Sequence, residues 1–216
     1  MTDIYIIGAG GFGREVVWLI QRINEVKPTW NIKGFIDDDN SLWGRSEDAY
    51  PVLGGCQYLL EKAEITEVYA VCAVGTAKVR KLIVEKLADR VKFATVIDPS
   101  VIFSKRVKIG AGCIICARTI ITVDIKIGDH VIINLGCTIG HDDIIHDFVT
   151  IYPGVNVSGN VEIGECSELG TGMQIIQGKK IGIGCIIGAG AVVVKDIPDK
   201  CTAVGSPAKP IKYVDN

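Results

Sequence analysis

The chain has 216 residues, with 23 Lys and Arg against 25 Asp and Glu for a formal net charge of −2, and is 48% hydrophobic and 22% charged. This mixture excludes disorder, collagen and coiled coil, and a near-neutral charge without a Lys/Arg cluster argues against nucleic acid as the main partner. Thirty-three isoleucines against nine leucines exclude a helix bundle, because β-branched side chains suit the pleated, half-buried surface of strands.

Residues 1–11 run apolar into a glycine turn with no basic segment, and no window holds about 18 uninterrupted apolar residues. Neither a signal peptide nor a membrane span is expected, and the expected location is the cytoplasm. The eight cysteines are then read as reduced, small core residues. Up to residue 96 strands alternate with helices. The predicted elements are a strand at Ile4–Ile7, a helix at Gly13–Asn24, a strand at Ile32–Ile36, a surface loop at Asp38–Pro51, a strand at Val68–Val74, a helix at Thr76–Arg90 and a strand at Val91–Val96. This order predicts an α/β domain over 1–96, a small Rossmann-like parallel sheet flanked by helices.

Gly8, Gly10 and Gly13 form G-x-G-x-x-G between the first strand and the first helix, a context in which backbone amides approach phosphate oxygens at a helix N-terminus. Asp37, 24 residues after Gly13, is placed to accept a hydrogen bond from a ribose hydroxyl. Fewer than 100 residues leave no room for a nicotinamide site, so a nucleotide-sugar fits the size better than a dinucleotide. The purely structural alternative is that the glycines permit a tight turn and Asp37 to Asp39 solvate a loop.

From Ile97 the period changes to six. Seventeen successive positions, every sixth residue from Ile97 to Val193, are apolar. The residue four after each anchor is usually small or β-branched, and glycine favours the position after the anchor. Anchors and small residues pointing inward, with Gly and Asn at the corners, predict stacked coils of a parallel β-helix over 97–198, followed by a tail at 199–216. Asp143 and Lys179 break the rule, because both occupy the inward small position. A buried carboxylate there is costly, so either Asp143 is hydrogen-bonded to the wall or the coil bulges.

The three histidines, His130, His141 and His146, all lie in this region. His141 falls two residues after an anchor and should project from the wall, with Gly159, 18 residues later, on the same face one coil on. An imidazole beside a glycine backbone suits acyl transfer: the ring takes a proton from the attacking amine or hydroxyl, and a backbone N–H steadies the oxyanion. His130 and His146 read as solvated wall residues. Cys113-x-x-Cys116 resembles half a zinc site but has no second pair, and Cys113 is already explained by the repeat, so no metal is expected.

The hexad frame, with Gly188-Ala189-Gly190-Ala191-Val192-Val193 and the ending Gly205-Ser206-Pro207-Ala208-Lys209, resembles the hexapeptide-repeat acyltransferases. With Gly8-Ala9-Gly10-Gly11-Phe12-Gly13 in front, the whole chain is similar to the bacterial sialic acid O-acetyltransferases and UDP-4-amino-sugar N-acetyltransferases. The resemblance implies a left-handed helix of three hexads per coil, a homotrimer with active sites between subunits, acetyl-CoA as co-substrate and a role in surface glycan synthesis. It also implies His141 as general base with Asp142 supporting it. In the first domain it places Gly10, Gly11 and Phe12 on a diphosphate, Asp37 and Asp38 at the nucleoside end and Gly75 on the sugar side. Asn134 would contact the acceptor sugar, and Thr150, Gly159, Thr171 and Ala189 would contact acetyl-CoA, although relatives often place histidine at Thr150. Lys195 and Lys209 would meet the coenzyme's phosphates, unless they are simply solvated. An amino group on a nucleotide-linked sugar is favoured as acceptor over a hydroxyl of sialic acid, because the glycine loop offers a diphosphate site. The rivals are a metal-dependent hydratase of the γ-class carbonic anhydrase kind, which needs three histidines in an open site, and a non-enzymatic nucleotide-sugar sensor.

Overall fold

The computed structural model describes residues 1–87 and 89–213, in two compact units, Met1–Pro99 and Ser100–Asn216. Ala88, in the predicted second helix, and residues 214–216 of the predicted tail lie outside the described residues.

The first unit runs β1 (Thr2–Ile7), α1 (Gly11–Val26), β2 (Trp30–Ile36), β3 (Ser46–Glu47), β4 (Tyr50–Gly54), α2 (Cys56–Ala63), β5 (Tyr69–Cys72), α3 (Ala77–Leu87) and β6 (Lys92–Phe93). Its sheet order is β3-β4-β2-β1-β5-β6. Every pairing is parallel except the β3–β4 hairpin. Ile4, Tyr5, Ile6 and Ile7 are all buried, as expected of a strand covered on both faces. α1 buries Val16, Val17, Leu19 and Ile20, the i, i+3, i+4 stripe of an amphipathic helix. Two expectations are corrected and one unforeseen helix is added. The loop at Asp38–Pro51 contains a short 3-10 turn, β3 and the start of β4, while α2 follows with only eight residues, too few to show a helical period. The strand at Val91–Val96 is two short pieces, β6 and Val96–Ile97. Arg22 on α1 grips the buried Asp98 with two hydrogen bonds, at 2.6 and 3.2 Å, tying the end of this unit to its first helix.

The second unit is a left-handed parallel β-helix. Two-residue strands stack at a register of 18 into three walls. The first wall carries Ile114–Ile115, Ile132–Ile133, Thr150–Ile151, Glu168–Leu169 and Ile186–Ile187. The second carries Ile120–Ile121, Thr138–Ile139, Asn156–Val157, Gln174–Ile175 and Val192–Val193, and the third Lys126–Ile127, Ile144–Ile145, Glu162–Ile163 and Lys180–Ile181. Every anchor from Ile115 to Val193 is buried, whereas Phe103 in the first coil is 44% exposed. Ile163, fully buried in mid-stack, loses transfer energy and leaves a cavity when truncated. Ile163→Ala is expected to cost about 2–5 kcal/mol, read as a lower urea midpoint.

The corner residues differ from the expectation. The left-handed residue lies three after each anchor, and every sixth residue from Gly112 to Gly190 has φ between 55° and 70°. Seven of those fourteen are not glycine, Asp142 and His130 among them. The glycines directly after the anchors serve close approach instead: a methyl group on Gly128 would lie 2.2 Å from Asp147 Oδ1, and one on Gly140 2.4 Å from the Gly159 nitrogen. In the tail, Cys201–Val204 pairs in parallel with Ile186–Ile187 and antiparallel with Lys209–Tyr213, extending the first wall.

Candidate active site

In the first unit a cleft of about 290 Å³ opens at the carboxyl ends of β1, β2 and β5, lined among others by Ile7, Gly8, Ile36, Asp37, Asp38 and Val74. Crevices outside the carboxyl ends of a parallel sheet are where such folds take ligands. The glycines of the loop divide by role. A methyl group on Gly13 would lie 2.0 Å from the Gly8 carbonyl oxygen, and Gly8 has φ 103°, so both are needed for α1 to pack on β1. At Gly10 nothing lies within 4 Å of such a methyl group. Gly10 is therefore a glycine the fold does not need, and it keeps the backbone open at the N-terminus of α1, where no side chain caps the helix. Gly11 is exposed and Phe12 half-buried.

Asp37 and Asp38 both brace the cleft. Asp37 accepts the Ala9 amide on Oδ2 at 2.9 Å and the Asp39 amide on Oδ1 at 3.0 Å. Asp38 Oδ1 accepts the amide of Cys56, the first residue of α2, at 2.7 Å. Gly75 is positioned through its carbonyl, which accepts from Arg80 Nη1 at 3.0 Å, as does Val74 at 2.7 Å. Arg80 is fully buried. Sequence reasoning missed it, because an arginine in an amphipathic helix reads as surface.

In the second unit, His141 and Gly159 stack at the corner between the second and third walls, and Lys195 falls at the same corner of a later coil. Half of the His141 side chain is exposed, and Nδ1 lies 2.8 Å from Asp142 Oδ2. The other face of the site is Gly159, where a methyl group would lie 2.5 Å from His141 Nε2. The ring therefore rests directly on the glycine backbone. Backbone bonds hold this turn from both neighbouring coils: Asp142 N donates to Val123 O at 3.1 Å, and Asn160 N donates to His141 O at 2.7 Å. The arrangement has the parts for proton abstraction, namely an accessible imidazole nitrogen with a carboxylate on the opposite nitrogen.

Other predicted residues fall elsewhere. Thr171 and Ala189 are exposed at the corner between the first and second walls. Asn134 is at that corner too, but it is buried and its Oδ1 accepts the Leu135 amide at 2.7 Å. Thr150 is buried in the first wall between Ile132 and Glu168. Lys209 begins the terminal strand. The second wall thus separates the His141–Gly159 corner from the Thr171–Ala189 corner within one chain.

Asp143 is fully buried with no bulge, since Ile144 keeps its register with Glu162. Its Oδ1 accepts the Val161 amide at 2.8 Å, and burial pushes the carboxyl up to about 7. Lys179 is only half-buried, beside Asp142 and Asn160. His146 is exposed and meets Glu162, which also binds Lys180. His130 corrects the expectation of a solvated residue: it is buried and stacked on Phe148, with ring centroids 5.1 Å apart. Three histidines in one open site, as the hydratase alternative requires, are therefore not assembled. Cys113 and Cys116 are buried, and Cys113 Sγ donates to the Gly128 carbonyl at 3.1 Å.

Residues 3–87 match the family model described as the PglD N-terminal domain. Along its length the chain is similar to GDP-perosamine N-acetyltransferase of Escherichia coli O157:H7, 33% identical over 214 residues and covering 96% of this chain and 95% of that protein. Among solved structures it resembles the H141N mutant of perosamine N-acetyltransferase from Caulobacter crescentus in complex with CoA and GDP-perosamine. That match has 30% identity, a TM-score of 0.91 and 98% of each chain covered. The acetyltransferase domain of PglB from Neisseria gonorrhoeae, in complex with acetyl coenzyme A, matches with 34% identity and a TM-score of 0.86, over 97% of this chain and 98% of that one.

Proposed function

The chain belongs to the hexapeptide-repeat sugar acetyltransferases of the PglD type, and from that premise we propose that it moves the acetyl group of acetyl-CoA onto an amino group of a nucleotide-linked sugar. One observation carries the reading of the site: an exposed imidazole, tied by Nδ1 to Asp142, lies with Nε2 on the backbone of Gly159.

The sugar amine attacks the thioester carbonyl carbon as His141 Nε2 takes the amine proton. Asp142 fixes the ring and stabilises the imidazolium. The oxyanion of the tetrahedral intermediate is steadied by the Gly159 amide, and collapse breaks the C–S bond. The departing thiolate recovers the proton from His141, so the products are the N-acetyl sugar and free CoA. General-base help and one oxyanion donor contribute about 10²- to 10⁴-fold and 10²- to 10³-fold respectively.

The nucleoside diphosphate docks on the Gly10, Gly11 and Phe12 turn of the first-unit cleft, with Asp37 and Asp38 at the nucleoside end and Gly75 on the sugar side. Thr171, Ala189, Lys195 and Lys209 serve the coenzyme, whereas Asn134 and Thr150, expected on the acceptor and the coenzyme, are buried in this chain and support the wall behind that corner. Because Thr171 and Ala189 lie one corner from His141, they reach a coenzyme only if subunits pair walls, which favours a homotrimer with sites between subunits. The exposed Ile102 and Ile120 on the second wall suit such pairing. The reaction belongs in the cytoplasm, in the synthesis of surface glycans.

Thiol release from acetyl-CoA is the assay, run on UDP-, GDP- and dTDP-linked amino sugars and on free sialic acid. Turnover with at least one nucleotide-linked amino sugar is expected. Turnover with sialic acid alone would overturn the proposal in favour of O-acetylation.

A further inference from the structure

The inward residues of the β-helix share a hydrogen-bonding habit that repeats with the coil. Cys113, Thr119, Cys137 and Ser167 each donate a side-chain hydrogen to the carbonyl 15 residues later, on Gly128, Asn134, Tyr152 and Gly182. Ser167 also accepts, from the amide 18 residues later, that of Cys185, at 3.0 Å. Asp143 occupies the same position in its hexad and reproduces the accepting half, taking the amide 18 residues later, Val161, at 2.8 Å. Its second oxygen, Oδ2, is buried and accepts no hydrogen bond, since the nearby Gly140 amide donates to the Val157 carbonyl at 2.9 Å. The carbonyl 15 residues after Asp143 belongs to Ser158, and the amide of that same peptide is Gly159's. Gly140, three residues before Asp143, packs directly on this peptide, since a methyl group there would lie 2.6 Å from the Ser158 carbonyl carbon.

We propose that Asp143 is a positioning residue of the acetyl-transfer site: held as a neutral acid, it accepts the Val161 amide on Oδ1 and donates its proton from Oδ2 to the Ser158 carbonyl, fixing the Ser158–Gly159 peptide under His141. The proposal rests on the roles given above to His141 and Gly159. A hydrogen bond to a peptide carbonyl polarises the N–H of the same peptide, so the donor that meets the oxyanion is both oriented and strengthened. It also removes an otherwise uncompensated buried oxygen.

The surroundings favour the neutral form. Burial is the largest influence on Asp143 and raises the carboxyl to about 7, against the amides of Val161 and Gly140 and the charge of His141, with Asp142 adding to the rise. On the coil before, Asp124 is engaged by Arg106. The coil after, Val157–Val161, carries no titratable side chain, and Lys179 lies one coil further. A carboxyl raised in the folded state stabilises fully below the ordinary carboxylate range and loses that contribution as pH climbs through about 7. Above that value the charged Oδ2 faces a carbonyl lone pair, so the Ser158–Gly159 peptide loses its tether.

The test compares Asp143→Asn and Asp143→Val with the wild type in pH–rate profiles, pH-dependent urea unfolding and infrared spectroscopy. Asparagine accepts on Oδ1 and donates from Nδ2 at any pH. Asp143→Asn is expected to keep kcat within about threefold near neutrality, and to lack both the wild type's loss of rate above about pH 7 and its loss of stability between the ordinary carboxylate range and about 7. Asp143→Val should lose about tenfold in kcat with KM for the sugar unchanged, the equivalent of one hydrogen bond. The wild type should show a protonated carboxyl band at pH 6 that the asparagine variant lacks. An absent band, or an alkaline loss that persists in Asp143→Asn, would overturn the proposal. Should the valine variant not fold, the asparagine comparison still decides. If the wild type acetylates no acceptor, the reading of function fails, while the infrared band and unfolding profiles still test the Asp143 hydrogen bond.

Discussion

His141→Ala is expected to lower kcat for acetyl transfer by about 10²- to 10⁴-fold, with the chain still folded. The two parts of this expectation have separate causes. The side chain is half exposed and its polar partner is the neighbouring Asp142, so its removal empties no core and should change stability by about 0.5 kcal/mol or less. The chemical step, by contrast, loses its proposed proton acceptor, and no other histidine takes its place, because His130 is buried against Phe148 and His146 lies on the third wall beside Glu162. Steady-state thiol release, with the urea midpoint as the control for folding, makes the measurement. Full activity in the variant would remove His141 from the mechanism and leave a nucleotide-sugar binder as the better reading.

Gly13→Ala and Gly10→Ala should behave as opposites within one motif. The methyl group at Gly13 meets a backbone oxygen at 2.0 Å and the Phe35 ring at 3.3 Å, and neither has room to retreat. Overpacking of that kind is expected to cost about 3 kcal/mol or more, enough to lower the unfolding midpoint of the first unit markedly. The methyl group at Gly10 meets no protein atom within 4 Å. Gly10→Ala should leave the midpoint unchanged and raise KM for the nucleotide-sugar about tenfold or more, because in the proposed docking the added group stands where the diphosphate approaches the backbone. Calorimetric unfolding of the two variants, with their KM values, checks both. Equal loss of stability in the pair would mean that the glycine loop serves folding alone.

Fold and site were legible to different depths. The β-helix was readable because six residues make one wall and one turn, so each side chain's direction follows from its place in the hexad; that frame put His141 outside and Gly159 one coil on. The first unit was readable in its strands and long helices, whereas α2 has only eight residues. The conformation of the corners was not readable, since the left-handed position tolerates Arg118, Asp124 and Phe148 as well as glycine. Nor was the fate of Asp37 and Asp38, whose oxygens turn inward to backbone amides of the same cleft.

By itself the amino-acid sequence determined the period, the inward set and the exposed histidine, because these depend only on spacing along the chain and on the exclusion of apolar side chains from water. Only the tertiary structure decided what each polar group faces. His130 stacks while His141 does not, Arg80 reaches two carbonyls from a helix interior, and Asp143 is buried with one oxygen on the Val161 amide and the other meeting no donor. In the β-helix these partners lie 18 residues away in the next coil, and for Arg80 they are carbonyls of the loop before its helix, so in neither case does the periodic pattern of apolar residues contain the information.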